Sequence, residues 1–242
     1  MSALWDEYLK CAKTRGPEPI VTWIGEAGRI ELSVTTFMNA VSKAANFLIE
    51  GLMLDENSTV RIDLGNHWQS PVWSSAALVA GVGLTDQESA TVTFAPKLRC
   101  VNWTGSPESL VIVSQDPFGM PDKDVSENFV NASAEVRMFG DYFAPAEIPD
   151  PMSAAITTAQ DVVPFSQVWS ASKLLAEQAS LDFGARYLIK GTGDLKTTIL
   201  LQTLIPIINN SSVVLYDLHS QGELDVVLET ERATKTIDLS AF

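Results

Sequence analysis

The chain has 242 residues, 46% of them hydrophobic, enough for one large or two modest domains with a substantial buried core. Its 30 Asp and Glu against 16 Lys and Arg give a formal charge of −14, which argues against nucleic-acid binding and an anionic membrane surface, since both require clustered cations. No apolar run approaches the ~18–20 residues of a membrane span, and Met1-Ser2-Ala3-Leu4-Trp5-Asp6-Glu7 lacks the basic and apolar regions of a signal peptide, so the expected location is cytoplasmic.

In chain order, a helix is predicted over Ala3 to Lys13, then a β-hairpin over Ile20 to Leu32 with Gly25 and Gly28 in its turn. Ser33 suits an N-cap, and Phe37, Val41, Ala44, Ala45, Leu48 and Leu52 recur at helical spacing over about five turns. Asp55, Glu56, Asn57 and Ser58 break that pattern. Val60, Ile62 and Leu64 form a strand closed by Gly65 and Asn66, with Asn66 placed to cap a helix over Trp68 to Val79 that is apolar nearly all round. Gly81 and Gly83 end that helix.

A strand over Ser109 to Ser114 completes a first α/β lobe, residues 1–114. Residues 115–152 form a loop-rich connection in which Pro117, Gly119, Pro121, Gly140, Pro145, Pro149 and Pro151 crowd together. The second lobe, residues 153–242, alternates strands (Ala154 to Thr158, Arg186 to Lys190, Ser212 to Asp217, Lys235 to Leu239) with helices (Ser166 to Phe183, Leu195 to Ile208, Glu223 to Ala233). This order predicts an α/β fold with mostly parallel pairing and right-handed crossovers, the two lobes forming one compact unit.

Few residues announce chemistry. Gly191-Thr192-Gly193-Asp194 ahead of a helix reads either as an anion-binding turn or as a turn with Asp194 as N-cap; it is too short for a dinucleotide fingerprint. His67, beside Trp68, falls at the carboxyl end of a strand, where α/β folds bind ligands, or is simply a helix-start residue. His219 lies near Asp217 without the sequence context of a nucleophile. Cys11 and Cys100 have no metal or redox spacing and read as reduced packing residues. Trp5, Trp23, Trp68, Trp73, Trp103 and Trp169 read as packing residues, with an exposed subset able to line a groove. No catalytic constellation and no metal-ligand spacing is visible.

The hairpin, the helix carrying Ala44-Ala45-Asn46-Phe47-Leu48, the strand segment Asn57 to Asn66 and the helix after it together resemble the opening of the adenylate-forming superfamily, the acyl-CoA synthetases and AMP-binding ligases. Val213 to Tyr216 and Leu224 to Leu239 continue the resemblance. Asp116-Pro117-Phe118-Gly119, Glu135-Val136-Arg137 and Gly140-Asp141 are similar to strings in a group of short bacterial relatives. The resemblance implies the N-terminal architecture of such a synthetase: two mostly parallel αβ lobes with a small β-hairpin. It covers about half the catalytic architecture of a full-length member, so the positions such enzymes use for magnesium, ribose and the acyl phosphate are expected to lie outside it.

The resemblance also places a phosphate loop in Ser153 to Ala176. Family members carry a Gly- and Ser/Thr-rich stretch there, closed by a Pro-Lys-Gly, because glycines let backbone amides approach ATP phosphates and the Lys adds charge. Here Thr157, Thr158, Gln160 and Asp161 occupy the degenerate loop, Pro164 stands for the proline, and neither the glycines nor the Lys is present. Asp161 would repel a phosphate at about 4 Å by roughly 1–4 kcal/mol. Three functions follow from the resemblance. One is a catalytically inactive relative working through a protein partner or as a homo-oligomer, with a dimer contact in Val226 to Leu239. The second is a sensor or carrier of an adenylate, CoA or acyl group. The third is an adenylate-forming ligase that needs a partner chain. ATP, AMP or CoA is the ligand the resemblance implies, if any binds.

Overall fold

Two sheets organise the structure, a computed structural model that describes residues 4–145, 149–217 and 223–241. Helix α1 (Leu4–Arg15) buries Trp5, Tyr8, Cys11 and Arg15, a stripe at three- and four-residue spacing. Strands β1 (Pro19–Gly25) and β2 (Gly28–Ser33) form the expected antiparallel hairpin. The Ser33 hydroxyl accepts from the Thr36 amide at 3.2 Å and so caps α2 (Val34–Asn46), which runs on through a π-helical turn, Phe47–Gly51. Phe37, Val41, Ala44, Ala45 and Leu48 are all buried, each large one contributing about 1.5–3 kcal/mol.

Strand β3 (Thr59–Ile62) leads to α3 (Gln69–Ala80), in which every residue from Gln69 to Val79 is buried. Its C-terminus closes on Gly81 at φ +79°, where a Cβ would also lie 2.9 Å from the Pro149 ring. Asn66 does not cap this helix. Its side-chain amide instead donates to the Gly191 carbonyl at 2.8 Å and accepts from Gln202 Nε2 at 3.2 Å. A carbonyl and an amide 125 and 136 residues away, in part-buried hydrogen bonds, take the side chain that the local pattern assigns to the helix.

Strands β4 (Gly83–Thr85), β5 (Val92–Ala95), β6 (Leu110–Ile112) and β7 (Val130–Asn131) follow, then the short helix α4 (Ala132–Glu135) and a second hairpin, β8 (Ala154–Thr157) and β9 (Val162–Pro164). They build a seven-stranded sheet in the order β7-β6-β5-β3-β4-β8-β9, parallel except for β8 with β9.

Helix α5 (Val168–Gln178) precedes β10 (Arg186–Lys190) and stops earlier than the sequence suggests; Ser180, at φ +51°, turns the chain out of the helix. Helix α6 (Leu195–Ile199) passes through a π turn, Leu200–Leu204, into α7 (Ile205–Ile208), and β11 (Ser212–Tyr216), α8 (Leu224–Glu231) and β12 (Lys235–Asp238) complete the order. The second sheet reads β12-β10-β11-β1-β2, parallel except for the β1–β2 hairpin.

The α/β class, the parallel pairing and the N-terminal hairpin are as expected. Each sheet, however, draws strands from both sides of residues 115–152: β1 and β2 pair into the sheet of β10 to β12, and β8 and β9 into the sheet of β3 to β7. One hydrophobic core runs between the sheets through α2, α3, α5 and the α6–α7 helix.

A charged cluster fastens the second sheet. The Glu231 carboxylate, 4% exposed, accepts from Arg29 Nε at 2.6 Å and from Arg186 Nη2 at 2.5 Å, joining α8 to β2 and β10. Its pKa is lowered, first by the Arg29 hydrogen bond, against the opposing effect of burial. Among the described residues, no helix is long and apolar enough to cross a membrane.

Candidate functional site

The four sequence-selected residues, Thr157, Thr158, Gln160 and Asp161, lie together at the turn between β8 and β9. A phosphate loop needs amides directed outward to a ligand. Here they are directed inward. The Thr158 hydroxyl, in a buried residue, accepts from the Asp161 amide at 3.0 Å and the Gln160 amide at 3.3 Å, and the Thr158 amide donates to the Asp161 carbonyl at 2.8 Å. Thr158 therefore satisfies the turn from within, as Ser and Thr do when they replace a backbone partner. The Gln160 and Asp161 amides are thus already taken by the Thr158 hydroxyl, and the Thr158 amide by the Asp161 carbonyl.

Asp161 is exposed, and its carboxylate pairs with Lys196 Nζ at 2.7 Å, which holds its pKa below the ordinary carboxylate value. A lysine thus stands beside the turn, 35 residues along the chain from Asp161 in the first turn of α6, but it is engaged with Asp161. Sequence reading leaves Asp161 as an unopposed negative charge; only the fold brings Lys196 to it. Asp194 caps α6 as expected, accepting from the Thr197 amide at 3.0 Å. Gly193 is required by packing: a Cβ there would lie 2.5 Å from the Leu239 carbonyl oxygen.

The carboxyl ends of β3 and β1 meet at a second constellation. His67 is buried, 3% exposed, its ring 4.8 Å edge-on from Trp23 of β1 and 5.6 Å from Trp68. Its Nδ1 accepts weakly from the Gln69 amide at 3.4 Å, so it contributes to the start of α3 while Asn66 bridges to the other sheet. Burial pushes its pKa down to about 4, against the opposing pull of Asp217 and Asp116, and the ring is neutral near pH 7. Among the described residues, His67 Nε2, Trp23 Nε1, Trp68 Nε1 and Gln115 Nε2 are buried donors without a hydrogen-bond acceptor. His219 lies outside the described residues. The two cysteines are free, Cys11 buried and Cys100 partly so, and no group of three or more described His, Cys, Asp or Glu could hold a metal ion.

No protein-family model matches the chain. A Mycobacterium tuberculosis protein, itself named only for its sequence family, is 30% identical over 156 residues, 59% of this chain and 62% of that protein. Among solved structures, coronafacic acid ligase from Pectobacterium brasiliense is similar at a TM-score of 0.73 and 15% identity, over 98% of this chain and 50% of the ligase. An acyl-CoA synthetase from Brucella canis is similar at 0.75 and 10% identity, over 96% of this chain and 47% of the synthetase. A long-chain-fatty-acid-CoA ligase from Archaeoglobus fulgidus is similar at 0.74 and 11% identity, over 97% and 51%. The chain has the fold of the N-terminal part of acyl-CoA synthetases and spans about half the length of these enzymes.

Proposed function

We propose that the chain is a catalytically inactive member of the acyl-CoA ligase fold whose role is to bind rather than to adenylate. The inward-directed β8–β9 turn carries this reading: Thr158 takes the Gln160 and Asp161 amides that phosphate binding would use, and Asp161 takes the nearby Lys196. A thermal-shift titration with ATP, AMP, CoA and acyl-CoAs tests it. A ligand at 100 times its dissociation constant stabilises a fold by about 2.7 kcal/mol, well within detection. The expected result is no stabilisation by ATP at millimolar concentration, and a clear ATP shift removes the proposal.

A second reading, a sensor or carrier of a small ligand, is favoured by the His67 constellation. His67, Trp23 and Trp68 lie against one another with buried N–H donors that have no acceptor among the described residues, as does Gln115, and such donors suit a ligand rich in carbonyl or hydroxyl oxygen. In that case AMP, CoA or an acyl-CoA would stabilise the chain while ATP would not, and His67→Asn would abolish the shift.

A further inference from the structure

On the side of the molecule formed by α1, α5 and α7 lies an open groove of about 820 Å³, within the usual size of a small-molecule site. It shares no lining residue with the β8–β9 turn or with the His67 constellation. Its apolar surface comes from Trp169 and Phe183 with Ile207 and Ile208. Phe183 leaves 71% of its surface to solvent, an aromatic face with no packing role large enough to explain it.

The charge on the groove runs against that of the whole chain. The protein carries nearly two acidic residues for each basic one, whereas the groove is lined by Lys10, Arg15 and Lys173 against Glu7 and Glu18. Arg15 is buried and fully engaged: it donates to Glu18 at 2.7 Å and to the Pro206 and Ser211 carbonyls at 3.0 and 3.1 Å. It thereby locks the end of α1 to α7 and fixes the groove's width without meeting a ligand itself. Lys10 pairs loosely with Glu7 at 3.7 Å, and Lys173 forms no ion pair among the described residues. Lys173, one turn along α5 from Trp169, offers charge to a ligand without first having to break a strong pair.

We propose that this groove binds a flat aromatic anion, a one- or two-ring body bearing a single carboxylate or sulfonate, with the ring against Trp169 and Phe183 and the acid group at Lys173. Aromatic pairs favour offset or edge-on contact and add about 0.5–1.5 kcal/mol beyond buried area, which is why rings suit this wall better than a plain alkyl chain. The site is independent of the binding role assigned above and stands or falls separately from it.

The test is a fluorescence titration of the whole chain with naphthalene-2-sulfonate, with neutral 2-naphthol as its uncharged partner. Saturable 1:1 binding is expected, with the neutral ring about 1.4- to 5-fold weaker, the range set by an exposed ion pair. Lys173→Glu should weaken the anion at least 10-fold and leave 2-naphthol within 2-fold. Trp169→Leu should weaken both by a similar factor, about 2- to 12-fold. Both positions lie on the outer face of α5, Lys173 exposed and Trp169 partly so, and circular dichroism of each variant verifies the fold. Absence of saturation below 1 mM, equal affinity for the two probes, or unchanged binding in both variants would each overturn the proposal.

Discussion

Replacing His67 by Asn should abolish most of the loss of stability that the wild-type chain suffers between pH 7 and pH 5. The folded-state pKa is about 4, against an ordinary value of 6.5. A depressed histidine pKa means that the unfolded chain takes up the proton first. Stability is therefore complete above about pH 6.5 and declines as the pH falls towards 4. Between pH 7 and pH 5, the unfolded form gains about three-quarters of a proton at this residue and the folded form about a tenth or less, which by linkage is worth about 2 kcal/mol. Glu231 and Asp238, which bind charged partners, have lowered pKa values and contribute their own losses mainly below this range. The chain holds only two histidines, so a single substitution separates the effect of His67 from that of His219. Asn keeps a short acceptor near the Gln69 amide while discarding the titrating ring. Urea unfolding at both pH values is the assay: the wild type should lose about 2 kcal/mol, and His67→Asn less than about 0.5 kcal/mol. Parallel losses in the two proteins, or a His67 ring that titrates near 6.5 by NMR, would refute the assignment of a neutral, desolvated imidazole between the sheets.

Glu231→Ala should destabilise by about 2–3 kcal/mol. Removing one partner of a buried pair costs about 3–5 kcal/mol, reduced here because Arg29 is 45% exposed and can rehydrate. Thermal unfolding should show this as a fall of roughly 4–12 °C in Tm for a chain of this size. Because the Glu231 pKa is lowered, its contribution is present above about pH 4.5 and is lost as the pH drops further, so the variant should also unfold less steeply with acid than the wild type. Thr158→Val removes the hydroxyl that holds the Gln160 and Asp161 amides and should cost about 1–2 kcal/mol. Hydrogen exchange of those two amides should accelerate at least 10-fold; unchanged protection would mean that the turn is held by something other than Thr158.

Much of the scaffold was legible because its signals are local. Ser33 before an apolar 3.6-residue stripe, the Gly25 to Gly28 turn, and the strand-helix alternation after Arg186 each depend on residues within a few positions, and each is present in the structure. The short strands β4 and β5 leave no signal in the sequence, because runs of three and four residues carry too little periodicity, and Gly83 has the pattern of a helix end although it starts a strand. Strand β9 ends in Pro164, a residue tolerated at the sheet edge it occupies, and so it read as loop. Within the candidate site, the identity of the four turn residues was readable, but the roles of Asn66 and Lys196 were not. Both act across the fold, Asn66 on carbonyls of the opposite sheet and Lys196 on Asp161, and no short-range pattern encodes such contacts.

The central claim is that the chain keeps the acyl-CoA ligase fold while its β8–β9 turn no longer serves ATP. Carboxylate-dependent exchange of labelled pyrophosphate into ATP, measured with the purified chain across a panel of aliphatic and aromatic acids, tests it most directly. Exchange indistinguishable from a no-protein control for every acid is the expected result. Robust exchange with any one of them would contradict it and make the chain an adenylating enzyme.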